Sequence, residues 1–143
     1  MLRRLAALDG RRRVLVGAAF VWVLAARFAL RASRGRSLPF QTRLLGGLAG
    51  RLPALAACTV DDAVWAVTAA ARRIPGTRCL AWSLALRMLL AQARIDGDLR
   101  IGVAPAAAGN IEAHAWVAAA GRELTWGDDV ARYSVLRPRT AAP

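Results

Sequence analysis

One thiol, one imidazole and a pair of carboxylates stand in this chain in the order that cysteine-nucleophile chemistry requires. Cys79 opens an apolar run, Pro75-Gly76-Thr77-Arg78-Cys79-Leu80-Ala81-Trp82. His114, the only histidine, lies in Ile111-Glu112-Ala113-His114-Ala115-Trp116-Val117, and Asp128 and Asp129 follow across an expected hairpin. A thiol needs a nearby base to become a nucleophile at neutral pH, and the base needs a third group to fix its ring. The residue types therefore read as nucleophile Cys79, base His114 and orienting Asp128, with Asp129 as the alternative third member. Glu112, on the same strand face as His114, is a further candidate.

Each of these residues needs an element to hold it. Thr77 reads as the N-cap of a helix running to about Ala93, which sets Cys79 in the first turn. Unpaired backbone N–H groups and the helix dipole there favour a thiolate and can donate to a developing oxyanion. No Gln or Asn stands near as a side-chain oxyanion donor, since Gln41, Gln92 and Asn110 are the only amides. The apolar residues of this helix (Leu80, Leu84, Leu86, Met88, Leu89, Leu90) lie nearly all round, the pattern of a central buried helix. Leu99–Val103 alternates as a strand. Ile111–Ala120 and Arg122–Trp126 read as two more, joined at Ala120-Gly121. Trp116 is expected to pack beside the His114 ring and exclude water.

Upstream, Thr59 reads as the cap of another helix, with Asp61 and Asp62 in its first turn and Arg72 and Arg73 in its last. Pro75-Gly76 ends it. A loose helix over residues 1–10 stops at Asp9-Gly10. A long one follows from about Arg12 to Ala32, then a break over Ser33–Pro39, then a Gly-rich stretch at Leu44–Leu48 that reads as a short helix or a linker. Val14, Ala18, Val21, Leu24, Ala25 and Phe28 share one face of the long helix, and Arg27, Arg31 and Arg34 lie off it. That face is expected to pack on the chain's own core or a partner, with a membrane-surface role as the alternative. The uncharged run Val14–Ala26 is short for a membrane span. An Arg-rich stretch follows it where a secretory signal would show a small-residue cleavage site. Helices followed by an antiparallel sheet make an α+β layout with the central, Cys-bearing helix packed on a small sheet.

The 143 residues suit one domain with a real core. Charge divides the chain. Residues 1–57 carry eleven Arg against Asp9 alone, a net +10, whereas residues 58–143 net +2. The basic part, residues 1–57, reads as a mainly helical region that packs on the same domain or on a partner; residues 58–137 form the core unit and 138–143 a disordered tail. Such a field attracts acidic proteins, acidic peptides or anionic lipid. Nucleic acid is excluded as the expected partner, because the Arg interleave with Leu, Ala and Val and no nucleic-acid motif appears. Two cysteines, Cys58 and Cys79, make no disulfide framework and suit a reducing cytoplasm. One His and no CxxC spacing leave no metal site, and no cofactor is expected.

The segment from Cys79 through EAHAWVAAAGREL to GDDVARYSVL resembles the transglutaminase-like proteins of lasso-peptide biosynthesis, specifically the stand-alone leader peptidase. The resemblance covers residues 60–137. Its marks are a Cys-Leu pair opening an apolar helix, an Ile-Gly-Val strand, the His-Ala-Trp-Val strand, a hairpin Gly, and an Asp followed by Tyr133 and Leu136. The basic, Leu-rich N-terminal helices are similar too. The resemblance implies a cysteine protease that cuts the leader from a ribosomally made precursor peptide, with Cys79 as nucleophile and His114 as general base; the alternatives are a transglutaminase-like acyl transferase and a non-enzymatic membrane- or partner-binding protein. Counted from His114, the family's usual Asp position falls on Trp126; Asp128 lies two residues on and keeps the strand-face parity. The resemblance also implies a separate precursor-recognition protein as partner, work beside the lasso cyclase, and a cytoplasmic setting, peripheral to the membrane if the N-terminal helix meets lipid.

Overall fold

The computed structural model describes residues 9–32, 38–55, 57–127 and 129–136. Residues 1–8 of the helix expected over 1–10, the tail 138–143 and Asp128 lie outside them. Four helices come first: α1 (Gly10–Ala32), α2 (Leu38–Arg51), α3 (Val60–Ala71) and α4 (Cys79–Gln92). Four strands follow: β1 (Asp98–Pro105), β2 (Ile111–Ala119), β3 (Arg122–Leu124) and β4 (Ser134–Val135). They form one antiparallel sheet in the order β3-β2-β1-β4. The fold is α+β, as the order of sequence patterns requires. The two-residue strand β4 was not legible in advance, and the Leu44–Leu48 stretch belongs to a helix.

The central helix is α4, and its composition explains why. Trp82, Leu84, Leu86, Met88, Leu89 and Leu90 are essentially inaccessible to solvent and pack against α1, α3 and the sheet residues Val117, Ala119 and Leu124. A helix apolar on every side has nowhere else to go. Its one buried amide, Gln92, is satisfied at both ends. The Trp22 indole N–H donates to its Oε1 at 3.0 Å, and its Nε2 donates to the Pro53 carbonyl at 3.1 Å. Gln92 thus ties α1 and the segment after α2 to the end of α4, and is a structural residue.

α1 packs with a different face from the one expected. Leu15, Val16, Ala19, Trp22, Val23 and Ala26 are buried, while Val14, Val21, Leu24 and Phe28 are exposed. Both stripes have helical spacing; Trp22, the bulkiest residue of the helix, sits in the one that meets the core. By length and composition α1 could cross a membrane, yet a third of its most apolar stretch is buried in this domain.

Two further corrections concern helix ends. α3 begins as expected, with Thr59 as N-cap, but it stops at Ala71, so Arg72 is the C-cap and neither Arg lies in the last turn. Arg73 still meets the helix end, donating from Nη1 to the Ala69 carbonyl at 2.5 Å. The N-cap of α4 is Arg78, not Thr77. The Thr77 hydroxyl is committed to the preceding turn, donating to the Ile74 carbonyl at 2.8 Å and accepting from Arg27 Nη1 at 3.3 Å.

Candidate functional site

Cys79 is the first residue of α4 and is partly exposed. Arg78, extended at φ −114° and ψ 169°, makes no side-chain cap bond, and the first backbone bond into the helix comes from Trp82 N–H to the Arg78 carbonyl at 3.0 Å. Among the described residues, the N–H groups of Cys79, Leu80 and Ala81 have no side-chain acceptor, as at any helix start that lacks a cap. Arg27 adds a guanidinium that donates to the Pro75 carbonyl just ahead of this turn. The Cys79 thiol thus stands at an uncapped helix start, where backbone N–H groups can donate to an oxyanion. The other cysteine is different. Cys58 is buried, and its thiol is pushed up from the ordinary value first by desolvation and then by the Asp62 charge, against the opposing pull of Arg11.

A hydrogen bond ties α4 to the histidine strand. Ser83 Oγ, buried and one turn after Cys79 on the same helix face, donates to the Ala115 carbonyl at 2.9 Å. This places Ser83, about 6 Å along the helix axis from Cys79, beside the residue that follows His114. The bond is possible because β3 ends at Leu124, opposite Val117. Past that point the Ala115 carbonyl has no strand to meet, and the serine takes it.

His114 is 3% exposed and lies in an aromatic stack. Its ring centroid is 5.1 Å from that of Tyr133 and 6.1 Å from that of Trp116, both near parallel. Gly102, opposite His114 in the β1–β2 register, allows this packing: a Cβ there would come within 2.8 Å of both Trp116 and Tyr133. The expectation that Trp116 packs beside the ring holds. Strand alternation sets the stack on the face of β2 away from the helical core, since Val117 and Ala119 face the helices and Trp116 does not. Cys79 is not among the ring's described contacts.

The ring nitrogen Nε2 is 2.8 Å from Thr125 Oγ1. Thr125 is the ring's partner that the sequence reading missed. The two residues after β3 diverge: Thr125 turns to His114, and Trp126 turns to α4, where it stacks on Trp82 at 6.5 Å. The signal was a hydroxyl beside Trp126, at the point where the hairpin returns past His114. The other carboxylates are used elsewhere. Asp129 accepts from Ala131 N–H at 3.0 Å, capping the short 3-10 turn Val130–Arg132. Glu112 pairs with Arg132 at 2.8 Å. Asp128 lies outside the described residues. Among these residues, no group of His, Cys, Asp or Glu could hold a metal ion.

A family model for the transglutaminase-like superfamily matches residues 21–138. No curated protein and no solved structure matches the chain.

Proposed function

Because the chain belongs to the transglutaminase-like superfamily, we propose that it is a cysteine peptidase, and that its substrate is the leader region of a ribosomally made lasso-precursor peptide. The observation that carries the reading is the Ser83–Ala115 hydrogen bond, which ties the uncapped start of the Cys79 helix to the strand bearing the sole histidine. In this reading the Cys79 thiolate adds to the scissile carbonyl, and unpaired N–H groups of the first turn receive the oxyanion. Protonated His114 gives its proton to the leaving amine as the C–N bond breaks. Water then loses a proton to His114 and attacks the thioester, releasing the acid and restoring the thiol. Thr125 holds the ring, and Asp128 is the proposed carboxylate of the third role.

The precursor-recognition protein and the cyclase are proposed partners. The net +10 of residues 1–57 offers an acidic partner or leader a docking field. The test is incubation of the chain with precursor peptide and recognition protein, followed by mass analysis. Leader cleavage gives two fragments whose summed mass exceeds the precursor by one water. An adduct in which an amine replaces that water assigns the same site to acyl transfer, the second activity known for this superfamily type. Intact precursor under these conditions overturns both.

A further inference from the structure

β2 has nine residues and β3 only three, so β2 is unpaired on that side from Ile111 to Trp116. The direction of its backbone groups follows from one bond. Leu136 N–H donates to the Ile101 carbonyl at 2.8 Å, so Ile101 turns its polar groups toward β4 and away from β2. Ala115, its partner in the register, must then turn its own groups the other way, to the side β3 has vacated. By strand alternation Ile111 and Ala113 do the same. Ser83 occupies the Ala115 carbonyl. The N–H and C=O groups of Ile111 and Ala113 have no partner among the described residues, and both residues are exposed, Ile111 at 74%.

Folded proteins blunt such edges with Pro, a bulge or a charge. Among the described residues none of these guards this one: the register of β2 with β1 is regular, and Glu112 is paired with Arg132. The edge also leads somewhere. A strand laid along Ile111 and Ala113 is stopped at Ala115 by Ser83, one helical turn after Cys79 on the same helix. Ala113 is moreover the residue before His114.

We propose that this edge binds the substrate peptide as an added strand, whose backbone pairs with Ile111 and Ala113 and whose scissile bond arrives at Cys79. The proposal rests on the cysteine-peptidase reading and adds to it how the substrate is held. Recognition at this point is of extended backbone, with side chains alternating to either face, so an extended, unstructured peptide fits and a folded one does not.

The test uses wild-type protein and an acetyl-tetra-alanyl chloromethyl ketone. The Cys79 thiolate displaces chloride, a carbon–sulfur bond forms, and the peptide is anchored at the site. Amide hydrogen exchange at Ile111 and Ala113 is then compared with protein alkylated by iodoacetamide, which modifies the thiol without a peptide. The expected result is slowing by about tenfold or more at these amides with the peptidyl label alone, as added backbone hydrogen bonds would give. Labelled Cys79 with unchanged exchange overturns strand addition and leaves the peptidase reading standing. Failure of the probe to label Cys79 counts against the nucleophile itself. As a second measurement, Ala113→Pro removes one edge donor at a position where Pro is tolerated. It should slow labelling by the peptidyl probe and leave the iodoacetamide rate unchanged; equal rates with both reagents would count against the proposal.

Discussion

Two helices of this chain begin beside a cysteine, and they begin differently. At α3, Thr59 accepts from Asp62 N–H and Asp62 accepts from Thr59 N–H, each at 3.1 Å, a reciprocal capping box. Arg11 pairs with the same carboxylate at 2.5 Å, and Cys58 is buried behind it. At α4, the cap residue Arg78 contributes no side-chain bond, and Cys79 is partly exposed at the opening. The first start is closed by the chain's own atoms and favours stability. The second leaves its donors for something else, and a neighbouring strand presents the only imidazole. Where polar groups go unmet at a helix end beside a nucleophilic atom, chemistry is the economical explanation.

The largest effect that would break this contrast is in thiol reactivity. Iodoacetamide should modify Cys79 faster than Cys58 by on the order of a hundredfold, because burial and Asp62 disfavour the Cys58 thiolate. Peptide mapping of partly alkylated protein measures the ratio, and equal labelling would erase the distinction. Next in size is Thr125→Val, which removes the hydroxyl on His114 Nε2. It should lower leader cleavage by about tenfold, with Thr125→Ser restoring most of it, as loss of one buried hydrogen bond predicts. A loss of thermal stability that Thr125→Ser fails to separate from the rate would make Thr125 merely structural.

The two helix starts can also be exchanged. Thr59→Ala should cost about 1 kcal/mol in chemical denaturation and leave cleavage unchanged, whereas Arg78→Ser should add about 0.5–1 kcal/mol by capping α4. The new hydroxyl would compete for the N–H groups proposed to meet the oxyanion, so cleavage should fall as stability rises. The smallest effect concerns pH. The Asp62 carboxyl is held below its ordinary value of 3.8, chiefly by its hydrogen bonds with Thr59 and then by Arg11. Its contribution to stability is full above 3.8 and fades as the pH falls below that value, because the unfolded chain takes up the proton first. The melting-temperature difference between wild type and Asp62→Asn should therefore shrink as the pH is lowered through that range. A difference constant with pH would contradict the assignment.

The fold was legible where one physical cause dominated. The all-round apolar pattern of α4 admits only a central position, the Thr59 box names its own helix start, and Ala120-Gly121 turns the hairpin with both residues at positive φ, 50° and 72°. Legibility failed where two causes competed. α1 carries two apolar stripes at helical spacing, and periodicity cannot say which meets the core. Thr77 has the right type for a cap, but Arg27 and the Ile74 carbonyl hold its hydroxyl, and both are contacts that local sequence does not show. β4 is a strand only because β1 is there to pair with it. In the site, Cys79 and the surroundings of His114 followed from residue types and strand parity. Thr125 did not, because a search for a carboxylate overlooks a hydroxyl, and the pull of Trp82 on Trp126 is a tertiary event.

The central claim is that Cys79 and His114 act together on a peptide carbonyl, and leader release measures it directly. Wild type, Cys79→Ala and His114→Ala are each incubated with precursor peptide and recognition protein, with circular dichroism and precursor affinity as controls. Wild type should release the leader, while both variants fold, bind precursor and release none. A folded Cys79→Ala protein that still cuts the precursor would contradict the account.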